Sequence, residues 1–344
     1  MAKTFCYNKV MFSRRIAIDL GTANSLVYVS GKGVVINEST VVAVSVGSNE
    51  VIAVGNEAKE MIGRTPEGIV PFRPLKDGVI ADYTVTEAML KYFLNKASGR
   101  VRFLGPTVLI AVPAGVSSVE SRAVIESAIG AGAKSAYLMP EPLAASIGAG
   151  LPISAASGNM IVNSGGGTTE VAIVSLGGLV VYGSARVAGN KIDEAISSYI
   201  RRKYGLIIGD KTAEQLKIKV GSALPLEKEI KAEVKGRDFV EGLPKTVIVN
   251  SAEITAAIEP TLKQIVQAVK EVLGRTPPEL SSDVLDKGIV MSGGTSLLKH
   301  FDKYITKLTG IPAHVADDPL LCVIRGLGTA VENLDVFEKA LIVK

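Results

Sequence analysis

The feature that most constrains this 344-residue chain is residues 160–176, MIVNSGGGTTEVAIVSL. An apolar run ends at Asn163, three glycines (Gly165, Gly166, Gly167) and two threonines (Thr168, Thr169) follow, and a β-prone run returns over 171–174. This is the pattern of strand, tight turn and strand. Glycines let such a turn leave backbone N–H groups facing an anion, and the threonines add hydroxyl donors. Residues 16–29, IAIDLGTANSLVYV, repeat the plan: an apolar strand ends in Asp19, a turn holds Gly21 and Thr22, and a β-rich return strand follows. Either hairpin alone is a common glycine turn. As a pair, each with an oxygen-bearing side chain closing its first strand, they predict a duplicated α/β domain. Each half then offers one phosphate-binding turn, with a nucleotide cleft between the halves.

Length agrees, since 344 residues exceed one ordinary core and predict two domains. Hydrophobic content of 47% suits well-packed cores, and a net charge of +4 is slight. No Lys/Arg block with interleaved aromatics points to nucleic acid, so no nucleic-acid partner is expected. Cys6 and Cys322 are the only cysteines and make neither a disulfide framework nor a metal motif, which fits a reducing cytoplasm. Two histidines, His300 and His314, exclude a histidine-rich metal site. No apolar run is long enough to span a membrane.

In chain order, residues 1–15 mix Phe5, Tyr7, Val10, Met11 and Phe12 with four cations and no acid. Such a segment suits an anionic membrane surface, or else is a disordered or core-docked terminus. Residues 31–75 read as a small inserted α/β subdomain. A helix is expected over 83–95, followed by a basic loop over 96–102 and then Phe103-Leu104. That apolar pair beside Arg100 and Arg102 either enters a bilayer interface or tucks into the core. Glu141, between two prolines at a strand-to-helix junction, is either a helix N-terminal acid or a residue that orients water. Helices are expected over 191–204, 212–220 and 251–274. Glu214 and Lys217 lie one turn apart, the spacing of a surface ion pair. A third apolar strand over 288–291 ends in Ser292-Gly293-Gly294-Thr295, a turn suited to a nucleotide's sugar or phosphate, and a helix is expected over 296–308.

Three strand-and-glycine-turn elements, at Asp19, Asn163 and Ser292, make the chain resemble the actin/DnaK-chaperone/sugar-kinase ATPase superfamily. Within it the chain is similar to the family of the bacterial actin homologue MreB, over residues 12–336. The segments that carry the resemblance are IAIDLGTANS (16–25), GKG (31–33), GRTP (63–66), RPLKDGVIAD (73–82), EPLAASIGAGLP (141–152), GGGTTEV (165–171), TAE (212–214) and ADDP (316–319).

The resemblance implies an actin-like α/β fold of two duplicated mixed-sheet domains, each with an inserted subdomain. The expected divisions are an N-terminal segment 1–15, a first core from 16–31, 76–149 and 330–344 with insert 32–75, and a second core from 150–185 and 263–329 with insert 186–262. It also implies ATP and Mg²⁺ as ligands and homopolymerisation into double filaments. Further implications are attachment to the anionic inner membrane surface from the cytoplasm and service to the cell-elongation machinery that maintains rod shape. By position, Asp19 would face Mg²⁺ through water, and Gly21, Thr22, Ala23 and Asn24 would form the first phosphate loop. Gly165, Gly166, Gly167 and Thr168 would form the second, and Glu141 with Thr168 would position the attacking water. Glu214 and Lys217 would hold ribose and base, and Gly293 and Gly294 would pack against adenosine. Phe5, Tyr7, Met11, Phe12, Phe103 and Leu104 match the family's membrane-inserting elements.

The chain departs from the family pattern at Asn163-Ser164, where Asp-Ile is usual. Asn keeps the carboxylate's shape and loses its charge, so hydrolysis is expected to be slowed while binding persists. Ala188, Asn190 and Thr295 also replace a usual Gly, Asp and Gly. The leading expectation is a filament-forming ATPase, and the alternative is a nucleotide-binding scaffold without useful hydrolysis. A small-molecule kinase would need a base beside its substrate hydroxyl, and Glu141 is the sole candidate.

Overall fold

The computed structural model describes residues 14–48, 50–76, 78–98 and 105–342. Phe5, Tyr7, Met11, Phe12, Phe103 and Leu104 lie outside them. The chain divides into two compact units, one of residues 1–148 with 323–344 and one of residues 149–322.

The first unit starts with an antiparallel meander, β1 (Arg15–Leu20), β2 (Asn24–Val29) and β3 (Gly33–Ser39). An insert follows, with β4 (Val42–Ser45), β5 (Val51–Val54), α1 (Asn56–Met61) and β6 (Ile69–Phe72) around a small core of Val41, Ala43, Ala53 and Ala58. The chain returns through β7 (Leu75–Lys76), β8 (Val79–Ile80) and α2 (Tyr83–Ser98). It then alternates β9 (Thr107–Val112), α3 (Ser118–Gly130), β10 (Ser135–Pro140) and α4 (Glu141–Gly148). The main sheet has the order β10-β9-β1-β2-β3, with β9 parallel to β1 and β10 parallel to β9. Ile16, Ile18, Leu90, Phe93 and Ile110 fill its core. Helix α2 runs past the expected residue 95. Ala97 and Ser98 are buried, and Lys96 is a last-turn cation bonded to Glu38 and to the Tyr92 hydroxyl rather than the start of a loop.

The second unit repeats the plan. Its meander is β11 (Asn159–Ser164), β12 (Thr169–Ser175) and β13 (Gly178–Ala185), followed by α5 (Gly189–Tyr204), β14 (Leu206–Ile207) and α6 (Asp210–Val220). Then come β15 (Lys231–Asp238), β16 (Pro244–Asn250), α7 (Ser251–Arg275), α8 (Pro278–Lys287), β17 (Ile289–Ser292), α9 (Phe301–Thr309) and β18 (Ala313–Val315). The sheet order β13-β12-β11-β17-β18 matches the first unit strand for strand, with β17 parallel to β11 and β18 parallel to β17. Every residue of β11 and β12 is buried, which explains their unbroken apolar runs.

The last helix, α10 (Cys322–Glu332), belongs to the first unit from Val323 onward. Arg15 Nη1 donates to the Glu332 carbonyl at 2.6 Å, meeting an end-of-helix acceptor that has no partner within the helix. The Glu332 carboxylate accepts from the Tyr28 hydroxyl at 2.8 Å, which heads the causes that hold its pKa below the usual range. The end of α10 is thereby fixed to β1 and β2.

Helix α7 begins with a reciprocal cap. Asn250 Oδ1 accepts from the Glu253 amide at 2.9 Å, and the Glu253 carboxylate accepts from the Asn250 amide at 2.9 Å. Asn250→Ala should cost about 1 kcal/mol, read as a lower urea midpoint with unchanged slope, while Asn250→Asp should stay near wild type. Equal losses in both variants would contradict the cap's role.

Candidate functional site

In the second unit, β11 and β12 are joined by Gly165–Thr168, closed by the Gly165 amide on the Thr168 carbonyl at 2.9 Å. Thr169 Oγ1 lies 2.8 Å from Ser164 Oγ and donates to the Val187 carbonyl at 2.7 Å. The turn's carbonyls are held from behind. Gly165 O accepts from Thr295 Oγ1 at 2.7 Å and from the Gly189 amide at 3.2 Å, and Gly166 O accepts from the Asn190 amide at 2.8 Å. With the carbonyls engaged, the amides of Gly166 and Gly167 have no partner among the described residues. Two adjacent open N–H groups on a fixed glycine turn are the geometry that an anion seat requires.

Asn163, 2% exposed, is the penultimate residue of β11, and its Oδ1 accepts from Ser292 Oγ at 2.8 Å. Ser292 is its register partner on the parallel strand β17. The next residue, Gly293, has φ +82°, and a Cβ there would meet the Ser164 carbonyl at 2.3 Å, so no other residue fits. The expected helix over 296–308 is interrupted. A 3₁₀ turn spans Gly294–Leu297, Leu298 is extended, His300 is left-handed, and α9 starts at Phe301. The cause is local, because Ser296 Oγ donates back to the Gly293 carbonyl at 2.6 Å and stabilises the tight turn.

Glu214 and Lys217 are half-buried on α6. Rather than serving only a local surface pair, Lys217 reaches α5. Its Nζ donates to Asp193 Oδ2 at 2.9 Å and to the Gly189 carbonyl at 3.1 Å. The sequence marks the turn that holds Ser292 and Thr295 but not the bonds these two make, and it marks neither Gly189 nor Asp193 as a site residue. Their partners lie between 24 and 130 residues away, beyond any local pattern. The one available signal was the position of Thr295 and Gly189 beside family motifs.

In the first unit, Asp19 lies near the end of β1 and opposite Leu26. Burial pushes its carboxyl from 3.8 up to about 7. In the turn that follows, Gly21 O accepts from Thr40 Oγ1 at 2.6 Å, Ala23 O from the Thr40 amide at 3.0 Å, and Thr22 Oγ1 from the Gly78 amide at 3.3 Å. This turn too is anchored through its acceptors. Asn24 starts β2 and is exposed. Glu141, half-buried, is the first residue of α4 and its first-turn acid. No group of three or more metal-ligating side chains exists among the described residues. The half-buried Asp19 carboxylate, its pKa raised by desolvation, nevertheless fits a cation held through water, because the cation would relieve that desolvation.

Two outcomes follow from this geometry. Thr295→Val should lose about 1 kcal/mol in urea unfolding by stripping a donor from Gly165; unchanged stability would contradict its anchoring role. Between pH 3.8 and about 7 the folded chain keeps a proton on Asp19 that the unfolded chain releases, so stability falls as pH rises through that window. Asp19→Asn should therefore melt above wild type near pH 8 and approach it near pH 4. The same difference at both pH values would contradict the assignment.

The MreB/Mbl protein family matches residues 13–339 of this chain. The cell shape-determining protein MreB of Escherichia coli strain K12 is 50% identical over 331 residues, covering 95% of each chain. MreB 5 of Spiroplasma citri, solved bound to AMPPNP, superposes with a TM-score of 0.90 at 38% identity, covering 95% of this chain and 98% of that one. The MamK double helical filament, at 23% identity, a TM-score of 0.78 and coverage of 92% and 99%, shares the fold. The chain belongs to the MreB/Mbl family and has its actin-like fold.

Proposed function

We propose that the chain binds ATP with Mg²⁺ and polymerises into membrane-attached cytoskeletal filaments that organise cell-wall synthesis and rod shape, with hydrolysis slowed by Asn163. The observation that carries this reading is the glycine turn whose carbonyls are tied from behind while the Gly166 and Gly167 amides stay open. The AMPPNP-bound relative and the relative named for cell shape support it.

In this reading the amides of the second turn and Gly21–Asn24 of the first receive phosphate oxygens. Fixed donors stabilise charge without reorganising during the reaction. Bound Mg²⁺ would supply neutralisation of triphosphate charge, and Asp19 is the carboxylate that would hold it through water. Glu141 and Thr168 orient the attacking water, Glu214 and Lys217 hold ribose and base, and Gly293 and Gly294 lie against adenosine. At Asn163 an amide stands where a carboxylate is usual, and its oxygen is engaged by Ser292. It contributes no negative charge to polarise water, so phosphate release is slow while binding and assembly persist. Attachment to the cytoplasmic face of the membrane falls to the N-terminal segment and Phe103-Leu104. No helix among the described residues is long and apolar enough to cross a membrane. The second reading, a nucleotide-binding scaffold filament with no useful hydrolysis, is favoured by the same Asn163.

The test is sedimentation with anionic liposomes and ATP, with phosphate release followed in the same tube for wild type and Asn163→Asp. Wild type should pellet with liposomes only when ATP is present, and Asn163→Asp should release phosphate at least about tenfold faster. Equal rates would overturn the role given to Asn163. No polymer and no nucleotide binding would overturn the proposal. Polymer without phosphate release in either form would favour the scaffold.

A further inference from the structure

We propose that Asp193 is a positioning residue for nucleotide binding, holding Lys217 against the carbonyl of Gly189 and so tying α6 to the back of the second phosphate turn. This rests on the nucleotide reading above, in which Lys217 contacts the nucleoside.

The geometry is a continuous chain of polar contacts within one unit. Asp193 and Lys217 side chains are 15% and 17% exposed and meet at 2.9 Å. Lys217 Nζ also donates to Gly189 O at 3.1 Å, and the Gly189 amide donates to Gly165 O at 3.2 Å, inside the turn itself. A Cβ at position 189 would meet Thr295 Oγ1 at 3.1 Å, Lys217 Nζ at 3.2 Å and Gly165 O at 3.4 Å. Three elements thus converge on Gly189, where a side chain would crowd them. A lysine otherwise loses considerable rotamer freedom when a ligand fixes it, and pre-setting the ammonium removes that cost from binding.

The pair is built at some expense. Asp193 Oδ1 is buried without a partner among the described residues. Burial raises the Asp193 carboxyl from 3.8 to about 6, opposed by Lys217 and reinforced by Glu214 and Asp210. These three groups, all on α6, are the charged neighbours that act on it; α7 and β14, also packed on α5, add none. Above about pH 6 Asp193 is ionised and grips Lys217. Below that pH it takes up a proton and the grip weakens.

The experiment is calorimetric titration of the full chain with MgADP near pH 7.5 and pH 5.5. Wild type should weaken several-fold on acidification. Asp193→Asn should bind about tenfold more weakly near neutral pH and lack the acid-dependent part of the loss, and comparing the two profiles cancels the nucleotide's own titration. Asp193→Asn combined with Lys217→Gln should bind like Lys217→Gln alone, because Asp193 acts through the lysine. Additive losses, or parallel pH profiles in wild type and Asp193→Asn, would overturn the proposal. If Asp193→Asn fails to fold, Lys217→Gln keeps Asp193 in place and must show the same flattened profile; a profile parallel to wild type overturns it. Wild type that binds no MgADP at either pH would overturn the nucleotide reading itself, whereas normal MgADP binding by Asp193→Asn would overturn only the positioning role.

Discussion

The second unit depends on the parallel pairing of β11 with β17, in the register that sets Asn163 beside Ser292. Because β17 ends at that pair and β11 ends one residue beyond it, the glycine turn after Ser164 and the glycine turn after Ser292 lie side by side. The close approach of Gly293 to the Ser164 carbonyl follows, as does the reach of Thr295 to Gly165. A one-residue slip would turn each buried side chain of β11 to the opposite face. The site geometry is thus a consequence of how a fully buried sheet has to pack.

That dependence explains what could be read from the sequence. The two hairpins announced themselves through apolar runs ending in an oxygen-bearing residue and glycine, and the matching sheet orders carry the duplication through to β9 and β17. Contacts between distant residues were not legible. Lys217 reads locally as a partner for Glu214, one turn away, yet it reaches Asp193 on another helix because α5 and α6 pack together. The helix expected from 296 fails for a reason too fine for periodicity, a serine hydroxyl that bonds back to Gly293. Lys96 looked like loop and is helix, since Ala97 and Ser98 find a buried place.

The departures from the family's usual residues divide by physical cost. Ala188 sits at φ −161°, extended backbone open to any residue. Asn190 bonds to Gly166 through its backbone amide, so that contact does not depend on its side chain. Thr295 adds a hydroxyl that holds Gly165. These three leave the turn intact or reinforce it. Asn163 differs in kind, because the shape is kept and a negative charge is gone. On the proposed function, this change alters catalytic electrostatics while leaving binding geometry in place, and a filament with slow turnover follows from it.

The central claim is that the glycine turns seat the nucleotide's phosphates, and amide hydrogen–deuterium exchange of the full chain with and without MgATP tests it most directly. The account predicts slower exchange on MgATP addition across residues 165–169, with smaller protection over 21–24 and 293–295. Protection confined to other segments, or none at saturating MgATP, would contradict it.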